Sequence, residues 1–327
     1  MKNLLGSLSI LILSSIIYSQ CDHNEAELWG TCYSIENTIV LNNPNDTMAE
    51  FPNNICQLSN LEVINFDVIW GETNFVHGQL PDCIGDLVNL THINLGWNSM
   101  FGSLPSSLGN LENLIFFSVL YNDFTGSIPD SFGNLESLTY LNLGFNSFSG
   151  QIPESIGNLV HLEELYLTEN FFSGRIPESI GNLTDLTMLS IYNNQFSGDI
   201  PESLGNLTSL VSINAGINQL TGQLPSSIGN LTNLERLWLN NNNLSGGVPY
   251  AVCDLELLVW APNGFNGEHS YLHTNKLCPP YPACLVDDIG SQDISSCQEY
   301  DLGDINYDSQ INIQDIVQIV NIILEIN

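Results

Sequence analysis

The chain repeats itself every 24 residues, and this repeat restricts the fold more than any other feature of the sequence. One leucine returns at that interval, and an asparagine, a glycine and a proline keep fixed offsets from it. The aligned leucines are Leu87, Leu111, Leu135, Leu159, Leu183, Leu207 and Leu231. A sustained period of this length is typical of a solenoid in which each repeat is one coil. A single coil cannot bury its own apolar face, so the coils must stack.

Each conserved offset within the repeat has a physical reason. Leu165 and Leu167 alternate with polar residues, which predicts a short strand with its leucines turned inward. Asn170 follows where the strand turns a corner, and an amide can both donate to and accept from unpaired backbone groups there. Gly174 permits a tight bend. Pro177 begins the return path, where no ladder hydrogen bond is needed.

The run L-x-x-L-x-x-L-x-L-x-x-N-x-F/L-S/T-G-x-I-P-E/S-S-I-G-N resembles the plant-type leucine-rich repeat of receptor-kinase ectodomains and polygalacturonase inhibitors. The resemblance covers roughly residues 39–258, and Trp29-Gly30-Thr31-Cys32 is similar to part of the cap that precedes such repeats. It implies an α/β repeat solenoid, a right-handed superhelix with parallel strands on its concave side. It also implies a second, weaker sheet near the Gly-x-Ile-Pro segment. Nothing resembles a kinase or a membrane span.

The sequence divides into five predicted segments. Lys2 followed by an apolar run from Leu4 to Ile17 predicts a secretory signal peptide, which is too short to span a membrane. We therefore expect a secreted or cell-surface protein. The predicted bounds are 1–20 for the signal peptide, 21–57 for an N-terminal cap, 58–254 for one 29-residue unit and seven of 24, 255–298 for a C-terminal cap, and 299–327 for a tail.

The cysteines predict caps closed by disulfides. Four lie in the first quarter of the chain and four in the last: Cys21, Cys32, Cys56, Cys83, Cys253, Cys278, Cys284 and Cys297. This segregation, with no C-x-x-C spacing, favours disulfides formed in an oxidising compartment over a metal cage. Pairing within each set leaves nine connectivities, which the sequence does not distinguish. Cys56 and Cys253 replace the glycine of the recurring I-G-N corner, a placement that suits a staple between a cap and an end coil.

Aromatic residues recur at the outward positions of the predicted strands and favour a ligand-binding surface. The candidate ligand-binding residues are His92, Trp97, Phe116, Tyr121, Tyr140, Phe145, Tyr166, Tyr192 and Trp238. An exposed apolar surface of this extent usually marks an interaction site. Rings with interleaved asparagines suit either a protein or a glycan ligand. The rings could also pack along the sheet as cross-strand pairs with no ligand.

Charge and motifs exclude several functions. A net charge of −32, from 36 acidic and 4 basic residues, argues against binding to nucleic acid or anionic lipid. The usual hydrolase, metalloprotease and phosphate-loop motifs are absent from the sequence. Glu164 and Glu169 could form a glycosidase-like carboxylate pair, but solvated charges explain them equally. Glu268, His269 and His273 have only loose metal-ligand spacing. We therefore predict a protein that is not an enzyme.

The tail carries oxygen side chains at the spacing that a calcium loop requires. These residues are Asp304, Asn306, Asp308, Asn312 and Asp315, with Gln310 where a backbone carbonyl would serve. The segment resembles half of a type I dockerin, which implies an EF-hand-like loop and helix with calcium as the cofactor. It departs from the pattern in having one repeat rather than two, and Ser309 where glycine is usual. The apolar run from Ile316 to Ile326 suits burial against the cap or in a cohesin-like or surface-retention partner.

Three functions fit the sequence. The first is an exported, non-catalytic protein that binds an extracellular protein or polysaccharide on the concave face, with its tail as a calcium-dependent attachment module. The second is an enzyme or enzyme subunit that acts on extracellular polysaccharide. The third is a structural surface protein whose acidity keeps it soluble in a salty environment.

Overall fold

A computed structural model describes residues 21–44, 49–68, 75–261 and 269–297. The predicted signal peptide and the predicted calcium-binding tail lie outside these residues. Within them the chain winds as a solenoid. Successive coils add a strand to a nine-stranded parallel sheet, then a strand to an eight-stranded parallel sheet, and return through a short helix.

The nine-stranded sheet forms one flank of the solenoid. Neighbouring strands pair with equivalent residues opposite each other, so that Tyr140 lies between Phe116 and Glu164. A residue position therefore becomes a column that runs along the sheet. The strands are Val40–Asn42, Val63–Asn65, His92–Asn94, Phe116–Ser118, Tyr140–Asn142, Glu164–Tyr166, Met188–Ser190, Ser212–Asn214 and Arg236–Trp238.

The second sheet lies at the Gly-x-Ile-Pro segment, as the resemblance implied. Its strands are Ala49–Glu50, Val76–Gly78, Ser99–Ser103, Asp123–Gly126, Ser147–Gly150, Phe171–Gly174, Gln195–Asp199 and Gln219–Thr221. Two smaller sheets flank the repeats. An antiparallel hairpin joins Glu25–Leu28 to Thr31–Ser34, and Ser245–Gly246 pairs in parallel with Lys276–Leu277.

The return paths in the described coils are 3-10 helices rather than the α-helices that an α/β assignment anticipates. They span Asn53–Gln57, Asp82–Asp86, Ser106–Asn110, Asp130–Asn134, Glu154–Asn158, Glu178–Asn182, Glu202–Asn206, Ser226–Asn230, Tyr250–Asp254 and Ile294–Ser296. Coils approach too closely here for a wider helix, because a Cβ added to Gly157 would lie 2.4 Å from the Ser179 carbonyl oxygen. Within the described ranges, no helix has the length and apolar character to cross a bilayer.

The core is a continuous apolar spine shared by all coils. Inward leucines such as Leu141, Leu165 and Leu189 are almost fully buried, and each contributes roughly 2 kcal/mol to folding. A row of phenylalanines lies behind the second sheet. The rings of Phe148 and Phe172 are 5.9 Å apart with an interplanar angle of 11°. Because each side chain is covered by the next coil, the coils stack as expected of units that cannot bury their own apolar face.

The side chain of the recurring asparagine binds two consecutive coils together. The Oδ1 atom of Asn146 accepts a hydrogen bond of 3.0 Å from the Phe124 amide of the preceding coil. Its Nδ2 donates to the carbonyl of Val119 at 2.8 Å and to those of Leu143 and Gly144. Asn98, Asn170, Asn194, Asn218 and Asn242 repeat this arrangement. The inward, backbone-satisfying role predicted for this residue is thus confirmed.

Each set of four cysteines pairs internally. The disulfides are Cys21–Cys32, Cys56–Cys83, Cys253–Cys284 and Cys278–Cys297. Cys56 and Cys253 lie in the 3-10 helices of end coils, and Cys253 is bonded to a residue beyond the last coil. The staple expected from the I-G-N position is therefore present at the C-terminal end. At the N-terminal end, Cys56–Cys83 joins two successive coils.

Candidate functional site

Stacked rings form a first column on the nine-stranded sheet, which we call the strand ladder: His92, Phe116, Tyr140 and Tyr166. Phe116 and Tyr140 are nearly parallel, with centroids 4.4 Å apart and 5° between their planes. His92 stacks on Phe116 at 6.1 Å, and Tyr166 is tilted by 49° at 5.7 Å from Tyr140. His92 is exposed and the other three rings are half-buried. The parallel register places His92, Phe116 and Tyr140 side by side, whereas Tyr166 comes from the neighbouring column, opposite Asn142.

A second column, the corner ladder, lies just past the strand ends and consists of Trp97, Tyr121 and Phe145. The Trp97 and Tyr121 centroids are 3.8 Å apart, and those of Tyr121 and Phe145 are 4.0 Å apart at 14°. All three rings are half-buried. They are therefore not sealed inside the molecule, and they also make the cross-strand contacts that the alternative interpretation expected. The ring contacts match the cross-strand alternative, and ligand binding by these residues stays a prediction.

The corner ladder is built on left-handed backbone. Trp97, Tyr121 and Phe145 have φ values of 56°, 53° and 54°. Bulky residues rarely adopt this conformation, whereas asparagine tolerates it. Later coils place Asn193 and Asn241 at the same position with φ values of 50° and 55°. The fold thus accepts asparagine here, yet three coils carry large rings, and backbone strain of this kind concentrates at functional sites.

Polar and acidic side chains surround the hydroxyls of the two tyrosines in the strand ladder. The Tyr166 hydroxyl donates a 2.6 Å hydrogen bond to Oε2 of Glu164, and the Asn142 amide donates to the Tyr140 hydroxyl at 2.9 Å. Burial, reinforced by the Glu164 carboxylate, raises the pKa of the Tyr166 hydroxyl. Burial also raises the pKa of Tyr140, and the charges of Glu164 and Asp67 act in the same direction. The hydroxyls therefore stay protonated donors on an anionic surface.

Two other predicted site residues lie at the polar end of the face. Tyr192 is half-buried, and burial raises the pKa of its hydroxyl with support from Glu169. Trp238 is half-buried, and its indole N–H donates a 2.5 Å hydrogen bond to the His269 carbonyl of the C-terminal segment. Trp238 is therefore engaged by the segment that follows the last coil. The structure brings His92, Phe116, Tyr140 and Tyr166 together, and separately Trp97, Tyr121 and Phe145.

A groove of about 490 Å³ next to the corner ladder adds residues that the sequence interpretation missed. Its lining includes Asp123, Glu169 and Phe171 beside Phe145. Phe171 is 54% exposed. A signal for it was present in the sequence, because other coils carry serine, aspartate, glutamine or asparagine at this position. A large apolar side chain in an otherwise polar column indicates a surface that contacts a ligand.

The candidate catalytic and metal-binding residues take other roles in the described residues. Glu164 accepts from Tyr166, and Glu169 accepts from the Asn193 amide at 2.6 Å. His273 contacts the Thr274 hydroxyl at 3.0 Å, and burial lowers the pKa of its imidazole. Among the described residues, the grouping close enough to share an ion is Cys21, Glu25 and Cys32, whose two cysteines form a disulfide. Glu268 lies outside the described ranges.

Comparison with known proteins agrees with the repeat. Family models match three overlapping or adjacent stretches: a leucine-rich repeat region over residues 145–259, and leucine-rich repeats over 117–172 and 89–111. No curated protein matches the chain. Together with the two parallel sheets and the asparagine corners, these matches define a leucine-rich-repeat protein.

Solved structures assign the repeat to the plant type. The ectodomain of the receptor kinase GASSHO1/SCHENGEN3 from Arabidopsis thaliana, in complex with CASPARIAN STRIP INTEGRITY FACTOR 2, is 34% identical with a TM-score of 0.64 over 70% of this chain and 26% of its own. The Arabidopsis receptor kinase HAESA, in complex with the peptide hormone IDA and the co-receptor SERK1, is 33% identical with a TM-score of 0.65 over 75% and 40%. The chain thus spans less than half of either ectodomain. A plant ice-binding protein, 21% identical with a TM-score of 0.59 over 82% and 79%, shares the fold.

Proposed function

We propose that the chain is an exported, non-catalytic recognition protein that binds an extracellular protein through a peptide segment laid across the strand ladder and the corner ladder. The observation that carries this proposal is the presence of two ring ladders that are not fully buried, one on the nine-stranded sheet and one just past its strand ends. The HAESA ectodomain was solved with a peptide hormone, which supports a peptide ligand for a similar solenoid. The disulfides support export, since they persist in oxidising compartments.

Ring geometry favours a peptide over a glycan. A sugar that stacks on an aromatic side chain covers the face of the ring. In both ladders the faces of the inner rings are already occupied by neighbouring rings at 3.8 to 4.4 Å, and an outer face is left at a ladder end such as Phe145. The surface therefore presents ring edges, which carry partial positive charge and attract carbonyl oxygens. An extended peptide backbone offers carbonyls at regular intervals, together with apolar side chains that pack between the coils.

The test uses substitutions that the solenoid already accepts. Phe116→Ser places in the strand ladder the residue type of Ser212, and Tyr121→Asn places in the corner ladder that of Asn193. Val160→Thr, in an exposed turn, matches Thr184 and is the control. A displayed library of random peptides selected on the full chain should yield binders that both ladder variants weaken at least about tenfold, while the control leaves them unchanged. Binders unaffected by both ladder variants would refute the proposal, and binding only on a glycan array would favour the glycan ligand.

The polysaccharide enzyme remains the competing function. It needs two carboxylates that flank a bond in a shaped cavity, with separations of about 5 to 10 Å. Glu164 and Glu169 instead have separate hydrogen-bond partners on an open face. Turnover of an extracellular polysaccharide that Glu164→Gln abolishes would establish this alternative in place of the binding protein.

A second part of the proposal concerns the tail, which lies outside the described residues. We propose that residues 299–327 bind calcium and attach the protein to a cohesin-like or surface-retention partner. The support is the spacing of five side-chain oxygen donors from Asp304 to Asp315, with Gln310 where a backbone carbonyl would serve, which matches a hard cation. Calorimetric titration of the full chain with calcium should show uptake that Asp304→Ala removes. No uptake, or uptake that the substitution leaves intact, would rule this assignment out.

A further inference from the structure

The corner ladder ends at a ring face followed by a carboxylate. One face of Phe145 is covered by Tyr121 at 4.0 Å, and the opposite face is turned toward the next coil. That coil carries Glu169 in the same column, and the Asn146 amide donates to the Glu169 carbonyl at 3.2 Å. Glu169 therefore lies one coil beyond the last ring. Its carboxylate is oriented by the Asn193 amide, which uses one of its two oxygens.

The groove at this point carries negative charge that the protein leaves uncompensated. Among the described residues that line it, Asp123 and Glu169 are carboxylates and none is a lysine or arginine. The whole chain has 4 basic residues against 36 acidic ones. The three basic residues within the described ranges, Arg175, Arg236 and Lys276, are absent from the lining of this groove. A cation here must therefore come from outside the chain.

The backbone of the residues at this end of the corner ladder is left-handed. Phe145 and Glu169 both lie in the left-handed region, with φ values of 54° and 55°, where asparagine occupies the neighbouring Asn193. Asparagine at either position would relieve strain of about 1 kcal/mol. The same conformation recurs in this column from Trp97 to Asn241, so the ring and the carboxylate, rather than the strain, distinguish these two coils.

We propose that this groove binds a lysine or arginine side chain of the peptide ligand, seated against the face of Phe145 and the carboxylate of Glu169. The inference rests on the proposed function and specifies its ligand as a basic peptide. A ring face attracts a cation through its quadrupole, and the carboxylate attracts it by charge. Phe171, more than half exposed in the lining of the same groove, offers apolar surface to the methylene stem of either side chain.

The experiment compares variants with equal charge. Peptides selected from the displayed random library are synthesised twice, once with their basic residue and once with norleucine in its place. Their affinities for the full chain are measured by calorimetry in about 0.15 M salt, which screens distant charges. The variant Glu169→Gln tests the carboxylate and Phe145→Leu tests the ring. Glu163→Gln is the control, because it removes one exposed carboxylate before the neighbouring strand.

The expected result is that Glu169→Gln and Phe145→Leu each weaken the basic peptide about fivefold more than they weaken the norleucine peptide. Glu163→Gln should leave both peptides unchanged. Equal losses for the two peptides, or equal losses for Glu169→Gln and Glu163→Gln, would overturn the inference. If ladder-dependent peptides are selected without any basic preference, the inference fails and the proposed function stands. If no ladder-dependent peptide is selected, both fail.

Discussion

Tyr121 and Phe145 lie face to face, with 4.0 Å between ring centroids and 14° between ring planes, although the backbone of each residue is left-handed. The two side chains hold each other in one orientation across adjacent coils. Neighbouring rings cover both faces of Tyr121 and one face of Phe145, and the ring edges are turned to solvent. A surface that looks like a general aromatic platform in the sequence is therefore a narrow ridge of ring edges in the folded protein.

Replacing Tyr121 with asparagine should separate folding from binding. The substitution removes two ring contacts worth about 0.5 to 1.5 kcal/mol each. It also relieves left-handed strain of about 1 to 2 kcal/mol. The opposing terms leave the free energy of unfolding within about 1 kcal/mol of the wild type, as measured by urea denaturation. A loss above about 3 kcal/mol would show that the corner ladder is chiefly a structural element.

Asn146→Ala should destabilise the solenoid strongly. The side chain makes hydrogen bonds to backbone groups of two coils, and its removal leaves buried carbonyls and an amide without partners. Each such group costs about 1 to 3 kcal/mol, so we expect a loss of at least about 3 kcal/mol in chemical denaturation. Asn134→Ala, at an exposed end of a 3-10 helix, is the matched control and should change stability by less than about 0.5 kcal/mol.

Gly157→Ala should also be severe, for a different reason. Its added methyl group would lie 2.4 Å from the Ser179 carbonyl oxygen and 2.6 Å from the Ser179 Cβ, and backbone cannot move aside cheaply. Overpacking of this kind costs about 1 to 3 kcal/mol or more and should lower the melting temperature. Ser155→Ala in the same helix is the comparison. A melting temperature equal to that of the comparison would mean that the coils separate easily.

Stability should fall at alkaline pH partly through Tyr166. Burial, with the Glu164 hydrogen bond and charge, raises its pKa in the folded protein, whereas in the unfolded chain it ionises near about pH 10. The unfolded state therefore loses its proton first, and the contribution present below about pH 10 is lost as the pH rises further. The difference between the urea midpoints at about pH 8 and about pH 11 should be smaller for Tyr166→Phe than for wild type. Tyr250→Phe, at an exposed residue, should behave as wild type.

Most of the fold follows from the sequence because its determinants are local and repeated. The strand around Leu165, the inward Asn170 and the tight corner at Gly174 each have one physical role, and the structure assigns them those roles. The 3-10 geometry of the return path was not evident, since it depends on the distance between coils at glycines such as Gly157. The disulfide pairing also needed three-dimensional proximity, because nine connectivities satisfied the spacing.

The candidate face was only partly visible in the sequence. The columns containing Phe116 and Tyr121 follow from the period alone. Their stacking does not, because it depends on side-chain rotations that a one-dimensional pattern leaves open. The groove beside Glu169 joins corner residues with strand residues of the eight-stranded sheet, including Phe171, and only the folded coil brings them together. The tail from Asp304 onward stays a prediction.

The asparagine side chains that each join two neighbouring coils have a mechanical consequence. A force that pulls the two ends of the solenoid apart loads equivalent amide contacts at Asn98, Asn146 and Asn194 in the same way. Because the coils are linked in series, each of these contacts carries the same load, and no single coil stretches ahead of its neighbours. The spacing between successive coils is thereby held constant, and a flexible binding partner must match this fixed spacing.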